Sequence, residues 1–199
     1  MNSIQAFHKD TPTDYKILDV VSNRWSPRSF SDQLIDQETL NSLFESVRWA
    51  PSSMNEQPWR LIVAKKGDLA HAKIVEALMP GNQLWAKDAP VLVVTLFKKS
   101  FTRNGAPNGS AKYDLGLAIG NLSAQATSEG IGLHQMGGFQ KDMIISTFTI
   151  ADDYEPVTVI ALGYYGNAED LPEELKYREL AERQRKPINE FVYYGHFNE

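Results

Sequence analysis

Apolar positions along the chain recur with two different spacings, and each spacing predicts one kind of element. After Asp36, apolar residues recur at i, i+3, i+4 and i+7, the pattern of one face of an amphipathic helix: Leu40, Leu43, Phe44 and Val47. Asp36 is a good N-cap, and Pro51 is expected to end the helix because the residue before a proline avoids helical angles. Residues 52–57 should therefore form a loop.

The same criteria predict most of the remaining elements. Helices are expected over residues 14–22, 69–78, 113–130, 141–148 and 173–183, and strands over residues 59–64, 91–97, 131–135 and 157–163. The runs at 91–97 and 157–163 are continuously apolar, as in strands buried on both faces. Because helices alternate with buried strands, the class is α/β or α+β, with a small sheet of four strands.

Three segments lie outside this pattern. Residues 1–12 are polar and expected to be flexible. Residues 98–110 contain two glycines, two asparagines and a proline, which makes them the best candidate for a mobile loop. Residues 187–199 form an aromatic tail that should pack on this domain or on a partner chain. A chain of 199 residues is otherwise consistent with one domain over residues 1–199.

Composition excludes several functions. The net charge of -5, without a long basic block, argues against a nucleic-acid partner. No apolar run approaches the roughly 20 residues that span a bilayer, so no membrane partner is expected. The absence of cysteine excludes disulfides and thiolate chemistry, and the four histidines have no metal-ligand spacing, so no metal is expected. Without a signal peptide, the chain is expected to be cytoplasmic.

Two polar stretches carry the candidate chemistry. Residues 24–29 supply two guanidiniums and two hydroxyls, which suit the oxygens of a phosphate: Arg24, Ser26, Arg28 and Ser29. Residues 52–57 supply hydroxyls and amides suited to the edge of a polar heterocycle: Ser52, Ser53, Asn55 and Gln57. Together they suggest a site for a phosphorylated, ring-bearing cofactor, although both could be ordinary polar loops. Because glycine-rich nucleotide fingerprints are absent, side chains must hold the phosphate, with the cluster at residues 183–186 as a second source of cations.

These stretches resemble motifs of the FMN-dependent nitroreductase family. The resemblance rests first on residues 24–30 (Arg-Trp-Ser-Pro-Arg-Ser-Phe) and residues 50–60 (Ala-Pro-Ser-Ser-Met-Asn-Glu-Gln-Pro-Trp-Arg). Further segments match in the same order: residues 88–94, 114–122, 161–164 and 183–188. The matches run from about residue 17 to residue 194. Trp25 and Glu56 depart from the family's pattern, the first in place of a polar or basic residue and the second as an added negative charge.

The resemblance implies an architecture. It is a homodimeric α+β three-layer sandwich, in which helices flank a small mixed or antiparallel sheet and a C-terminal extension reaches the partner subunit. Two FMN sites would lie at the subunit interface, and the loop at residues 51–57 would serve the other subunit's site.

It also implies which residues bind FMN. Phosphate and ribityl contacts are expected from the arginine motifs at both ends of the chain: Arg24, Ser26, Arg28, Arg183 and Arg185. Contacts to the ring are expected from two further stretches: Pro51, Ser52, Ser53, Met54, Asn55 and Gln57, and then Gln135, Met136, Gly137 and Gly138. No side chain is expected to be catalytic, because the flavin N5 carries the chemistry.

The implied activity is that of an oxidoreductase. NADH or NADPH would deliver hydride to the flavin, and a small-molecule acceptor, a nitroaromatic or a quinone, would then be reduced in a ping-pong scheme. Two alternatives remain open: another flavin enzyme of the same superfamily, acting on heterocycles or cleaving reduced flavin, and a non-catalytic flavin-binding dimeric module.

Overall fold

The computed structural model describes residues 9–197. Its strands are β1 (Trp59–Lys65), β2 (Val91–Lys98), β3 (Ile131–Met136) and β4 (Tyr154–Tyr164). Its helices are α1 (Asp19–Ser22), α2 (Gln37–Arg48), α3 (Leu69–Ala77), α4 (Pro80–Ala86), α5 (Ala111–Ser128), α6 (Lys141–Phe148) and α7 (Glu173–Leu180). The predictions for residues 1–8 and 198–199 lie outside the described residues.

The four strands form one sheet in the order β1-β2-β4-β3, and every neighbouring pair is antiparallel. Alternate residues of β2 enter different cores: Val91 and Val93 pack with α2 and α5, whereas Leu92 and Val94 pack with α3, α4 and α6. Helices therefore cover both faces of the sheet. This arrangement confirms the predicted α+β three-layer sandwich and selects the antiparallel form of its sheet.

Local details differ from the sequence-based expectation where the apolar pattern is short. The first helix is only four residues long, and α4 was not predicted, because its seven residues are too few to show a helical period. Pro80 begins α4, and the buried Trp85 holds it against the sheet. Strand β4 begins at Tyr154, before the predicted residue 157. Pro156 cannot donate a hydrogen bond to the ladder, and the strand tolerates it because it lies where the register with β2 shifts.

The segments predicted to lie outside the core have more local structure than expected. Ser100 pairs with Pro107, and the backbone N–H of Asn108 donates to Lys99 O at 2.7 Å, so residues 99–107 form a closed turn. Lys9 Nζ donates to Ala181 O at 2.9 Å, which ties the first described residue to the end of α7. The C-terminal tail leaves Phe191, Tyr194 and Phe197 exposed within the single chain.

Within residues 9–197, no helix is long and apolar enough to cross a lipid bilayer.

Candidate functional site

The segment between α1 and α2 is extended and alternates between the interior and the surface. Every second side chain is buried: Trp25, Pro27 and Ser29. The side chains between them are only partly buried: Arg24, Ser26 and Arg28. Because side chains of extended backbone point alternately to opposite sides, the three polar groups predicted from the sequence emerge on one side of this segment. We call residues 24–29 the arginine loop.

Buried side chains attach the arginine loop to the end of the sheet. The Trp25 ring stacks on Tyr165, with ring centroids 5.5 Å apart and planes inclined by 13°. Pro27 lies against β3 so closely that a Cβ on Gly132 would be 2.5 Å from its Cγ atom. Trp25 therefore departs from the family's pattern without entering the site, since its side chain contributes to packing.

Three arginines from opposite ends of the chain meet beside this loop. Arg183 donates to Ser22 O at 2.6 Å and to Arg24 O at 2.8 Å. Burial lowers the pKa of the Arg24 guanidinium, and the charge of Arg185 lowers it further. The pKa of Arg183 is lowered first by burial and then by the charges of Arg24 and Arg185. Mutual repulsion between partly desolvated cations makes this place favourable for an anion.

Arg28 has a different environment from the other three arginines. Its guanidinium lies 3.8 Å from the carboxylate of Glu179, whose side chain is 2% exposed. Burial lowers the pKa of Arg28, and the carboxylate opposes that shift. The four arginines predicted for the phosphate and ribityl contacts thus differ in the groups that they already bind: Arg183 binds backbone carbonyls, and Arg28 is paired with a buried acid.

A cavity of about 330 Å³ opens next to the arginine loop. Its walls include Arg24 and Ser26 from the loop, Gln135 from β3, and Gly116 and Gly120 from α5. A Cβ added at either glycine would meet no atom within 4 Å, so the missing side chains leave this space open. The cavity is where the structure brings together predicted residues from two distant segments.

The stretch after β3 contributes to this region unevenly. Gln135 is exposed, whereas the Met136 side chain is 3% exposed and belongs to the core between the sheet and helices α3, α4 and α6. Gly138 O accepts from Asn82 Nδ2 at 3.1 Å and from Met79 N at 3.0 Å, so it is directed to α4. Of the four predicted residues, Gln135 and the exposed Gly137 are the ones with free access to a ligand.

The loop at residues 51–57 lies apart from the cavity, since none of the lining residues within the described chain comes from it. Met54, Asn55 and Gln57 all have positive φ, between 52° and 55°, a region that non-glycine residues seldom adopt. The buried carboxylate of Asp114 holds this backbone by accepting from Ser53 N at 3.0 Å. Strain of this kind concentrates at functional sites.

Glu56 does not add a free negative charge to this loop. Its carboxylate accepts hydrogen bonds from the backbone N–H and hydroxyl of Thr102. These hydrogen bonds lower the pKa of Glu56. The turn at residues 99–107 is thereby joined to the 51–57 loop, a connection that the sequence did not indicate.

His134 supports the arginine loop from β3. Its Nδ1 lies 2.8 Å from Pro27 O, so the ring donates from Nδ1, and the ring packs against Trp85 with centroids 4.5 Å apart. Burial lowers the pKa of His134 to about 4, with the charge of Arg28 acting in the same direction. The imidazole is therefore neutral at pH 7, as expected for an interior histidine rather than a base.

This shift predicts a pH-dependent stability. Unfolded His134 titrates near pH 6.5 and the folded residue near 4, so between these values the unfolded state binds more protons and stability falls as pH is lowered. His134→Asn keeps a donor near the Nδ1 position but does not titrate. Between pH 7 and pH 5 we expect the wild type to lose about 2 kcal/mol more unfolding free energy than His134→Asn in urea titrations. Parallel losses in the two proteins would contradict the buried, neutral imidazole.

Sequence reasoning missed three contacts that hold the two loops, those made by Asp114, His134 and Glu179. No local pattern marks them, because each acts on a segment at least 61 residues away. Among residues 9–197 no group of three or more histidine or acidic side chains could hold a metal ion.

Comparisons with known proteins agree with this geometry. The model of the nitroreductase family matches residues 21–81 and 67–164. A solved structure described as an oxidoreductase containing FMN superposes with a TM-score of 0.89 at 32% identity, covering 94% of this chain and 96% of that one. A nitroreductase family protein from Clostridium difficile 630 shares the fold, with a TM-score of 0.72 at 24% identity, over 92% of this chain and 100% of that one.

Two curated relatives match the chain over shorter spans. One from Methanothermobacter thermautotrophicus, provisionally named NADH dehydrogenase/NAD(P)H nitroreductase, is 28% identical over 152 residues, which are 74% of this chain and 76% of that protein. The FMN reductase [NAD(P)H] of Bacillus subtilis is 28% identical over 61% of this chain and 54% of its own length. The family match spans both the arginine loop and the cavity beside it, and the chain belongs to the nitroreductase family.

Proposed function

We propose that this nitroreductase-family oxidoreductase binds FMN and uses NADH or NADPH to reduce a nitroaromatic or quinone acceptor in a ping-pong scheme. The observation that carries the proposal is that Arg183 donates to Arg24 O at 2.8 Å beside the cavity, with burial first and the repulsion of neighbouring guanidiniums, Arg185 among them, second in lowering the pKa of both. A phosphate dianion bound there would compensate this repulsion. The FMN-containing neighbour at 32% identity and the names of the relatives support the same cofactor and electron donor.

The residues present fit such a cofactor. In the proposal Arg24, Ser26 and Arg185 contact the phosphate and ribityl, while Arg28 and Arg183 offer only the N–H groups that protein acceptors leave free. In the proposal Gln135 and the exposed Gly137 lie along the ring, while the Met136 side chain packs in the core and Gly138 O is bonded to α4. The open space above Gly116 and Gly120 supports this assignment, because a flat ligand needs a wall without side chains.

When bound, FMN would supply the electron transfer between the nicotinamide and the acceptor. The chain's own residues have simpler tasks. They neutralise the phosphate, fix the ligand's orientation through a loop whose backbone is hydrogen-bonded on several sides, and surround part of it with apolar groups such as Leu133. Electron transfer needs no general acid from the protein, because protons can arrive from water.

We further propose that the active form is a homodimer, in which each 51–57 loop completes the partner's site. The loop is preformed and strained, yet it lines no part of the cavity in its own chain. Large apolar side chains near it are exposed, including Trp49 at 72% and Met54 at 67%. The exposed aromatic tail would then reach the partner subunit. Sedimentation equilibrium tests this directly, because a monomer mass at micromolar concentration would contradict it.

The first functional test is the visible spectrum of protein that has been incubated with FMN and desalted. We expect retained flavin close to one per subunit, bleaching by NADH or NADPH without oxygen, and recovery of the oxidised spectrum when a nitroaromatic or quinone is added. Protein without retained flavin would contradict the cofactor. Retained flavin that neither nicotinamide reduces would favour a non-catalytic flavin-binding module, and failure only at the last step would mean a different acceptor.

A further inference from the structure

Glu179 is a buried acid below the arginine loop, on the last turn of α7. Its side chain is 2% exposed, and both carboxylate oxygens accept from the loop's backbone. Arg28 N donates to Oε1 at 2.9 Å and to Oε2 at 3.0 Å, and Ser29 N donates to Oε1 at 3.1 Å. Two successive backbone N–H groups and one guanidinium thus share a single carboxylate.

Burying the Glu179 carboxylate costs folding free energy unless it keeps its hydrogen-bond partners. Burial raises the pKa of Glu179, and the hydrogen bonds from Arg28 and Ser29 oppose that shift. The charges of Arg28 and Lys9 also favour the ionised form. An ionised acceptor forms stronger hydrogen bonds than a neutral one, so the negative charge holds the loop more firmly than an amide could.

The contact with Glu179 holds backbone N–H groups of the loop, whereas the other contacts described above hold backbone carbonyls. Arg183 holds the carbonyls of Ser22 and Arg24, and His134 holds the carbonyl of Pro27. Glu179 holds the N–H groups of the next two residues, so the backbone is restrained on both sides of Ser26. Without Glu179, the buried N–H of Ser29 and the partly buried N–H of Arg28 would lack this acceptor, and the Arg28 guanidinium would lose its counter-charge.

We propose that Glu179 is a positioning residue that preorganises the arginine loop for the phosphate of the cofactor. The inference rests on the proposed function, since it concerns binding of FMN. A loop that must be ordered during binding uses part of the binding free energy for that ordering, and a preorganised loop does not. Because Glu179 touches the loop and not the cavity, its effect should be confined to the part of the ligand that the loop holds.

The test compares two ligands that differ only in the phosphate, FMN and riboflavin, by fluorescence titration of flavin-free protein. We expect Glu179→Gln to weaken FMN binding about tenfold and to leave riboflavin binding within about twofold. Glu179→Asp keeps the charge on a shorter side chain, so its FMN affinity should lie between those of the wild type and Glu179→Gln. The matched control is Glu174→Gln, which makes the same change at an exposed position of α7 and should alter neither affinity.

Each other outcome is decisive. Equal weakening of both flavins would reduce Glu179 to general support of the fold, and unchanged FMN affinity would remove its positioning role. Wild-type protein that binds neither flavin would instead overturn the proposed function. If Glu179→Gln does not fold, hydrogen exchange in flavin-free wild type provides the test. We expect the Arg28 and Ser29 amides to be protected, and exchange at the rate of an open loop would overturn the proposal.

Discussion

Arg24→Ala is expected to weaken FMN binding by about 1.5–3 kcal/mol, or roughly 10- to 150-fold in the dissociation constant. Arg24 is the arginine that lines the cavity, and within residues 9–197 its guanidinium donates one hydrogen bond, to Ser26 Oγ at 3.3 Å. Most of its donors are therefore available to a ligand. Removing it loses a charge-assisted contact and leaves Arg183 and Arg185 to hold the phosphate.

Salt dependence distinguishes a phosphate contact from an indirect effect. We expect FMN binding to wild type to weaken as salt is raised, and this dependence to be shallower in Arg24→Ala because one phosphate contact is absent. The FMN affinity of Arg24→Lys should lie between those of the wild type and Arg24→Ala, since lysine keeps the charge but lacks the planar fork of the guanidinium. Arg48→Ala, which removes an equal charge from the exposed face of α2, is the control. Loss of affinity without a change in salt dependence would argue against contact between Arg24 and the phosphate.

Gly166→Ala is expected to destabilise the protein by roughly 3 kcal/mol or more, the upper part of the usual range for overpacking. A Cβ at residue 166 would lie 2.7 Å from the carbonyl carbon and 2.8 Å from the nitrogen of Phe30. It would also lie 2.4 Å from Ser29 Oγ, which could rotate away, but the Phe30 backbone cannot. Gly166 N donates to Ser29 O at 3.0 Å, so a shift would break the contact that joins the arginine loop to the end of β4.

The measurement is the free energy of unfolding in urea, together with the FMN dissociation constant of the same protein. In Gly166→Ala the free energy of unfolding should fall and the FMN dissociation constant should rise, because the displaced segment carries Arg28 and Ser29. Gly81→Ala is the matched control: it lies in α4, and its added Cβ would meet no atom within 4 Å. A helical alanine should leave stability equal or up to about 1 kcal/mol higher. Similar stabilities for the two variants would mean that the loop is not packed on Gly166.

Much of the fold followed from the order of apolar residues. Helix α2, its Asp36 cap and the buried strand β2 were all predictable, because helical period, cap chemistry and β-branched runs act over a few residues. The resemblance of the motifs to the nitroreductase family predicted the α+β sandwich, and the structure confirms its antiparallel sheet. The assignment of individual cofactor contacts stays a prediction, and the variants above test the part of it that concerns the phosphate.

The sequence by itself determined most of the elements, with the exception of α4, and the polar residue types that are available at each loop. Only the tertiary structure decided which of them meet: Arg24 with Arg183 and Arg185, Arg28 with Glu179, and the Met136 side chain with the core. The reason is the range of the interactions. Backbone periodicity depends on neighbours in the chain, whereas the partner of a buried charge is set by packing between segments about 150 residues apart, which no local pattern records.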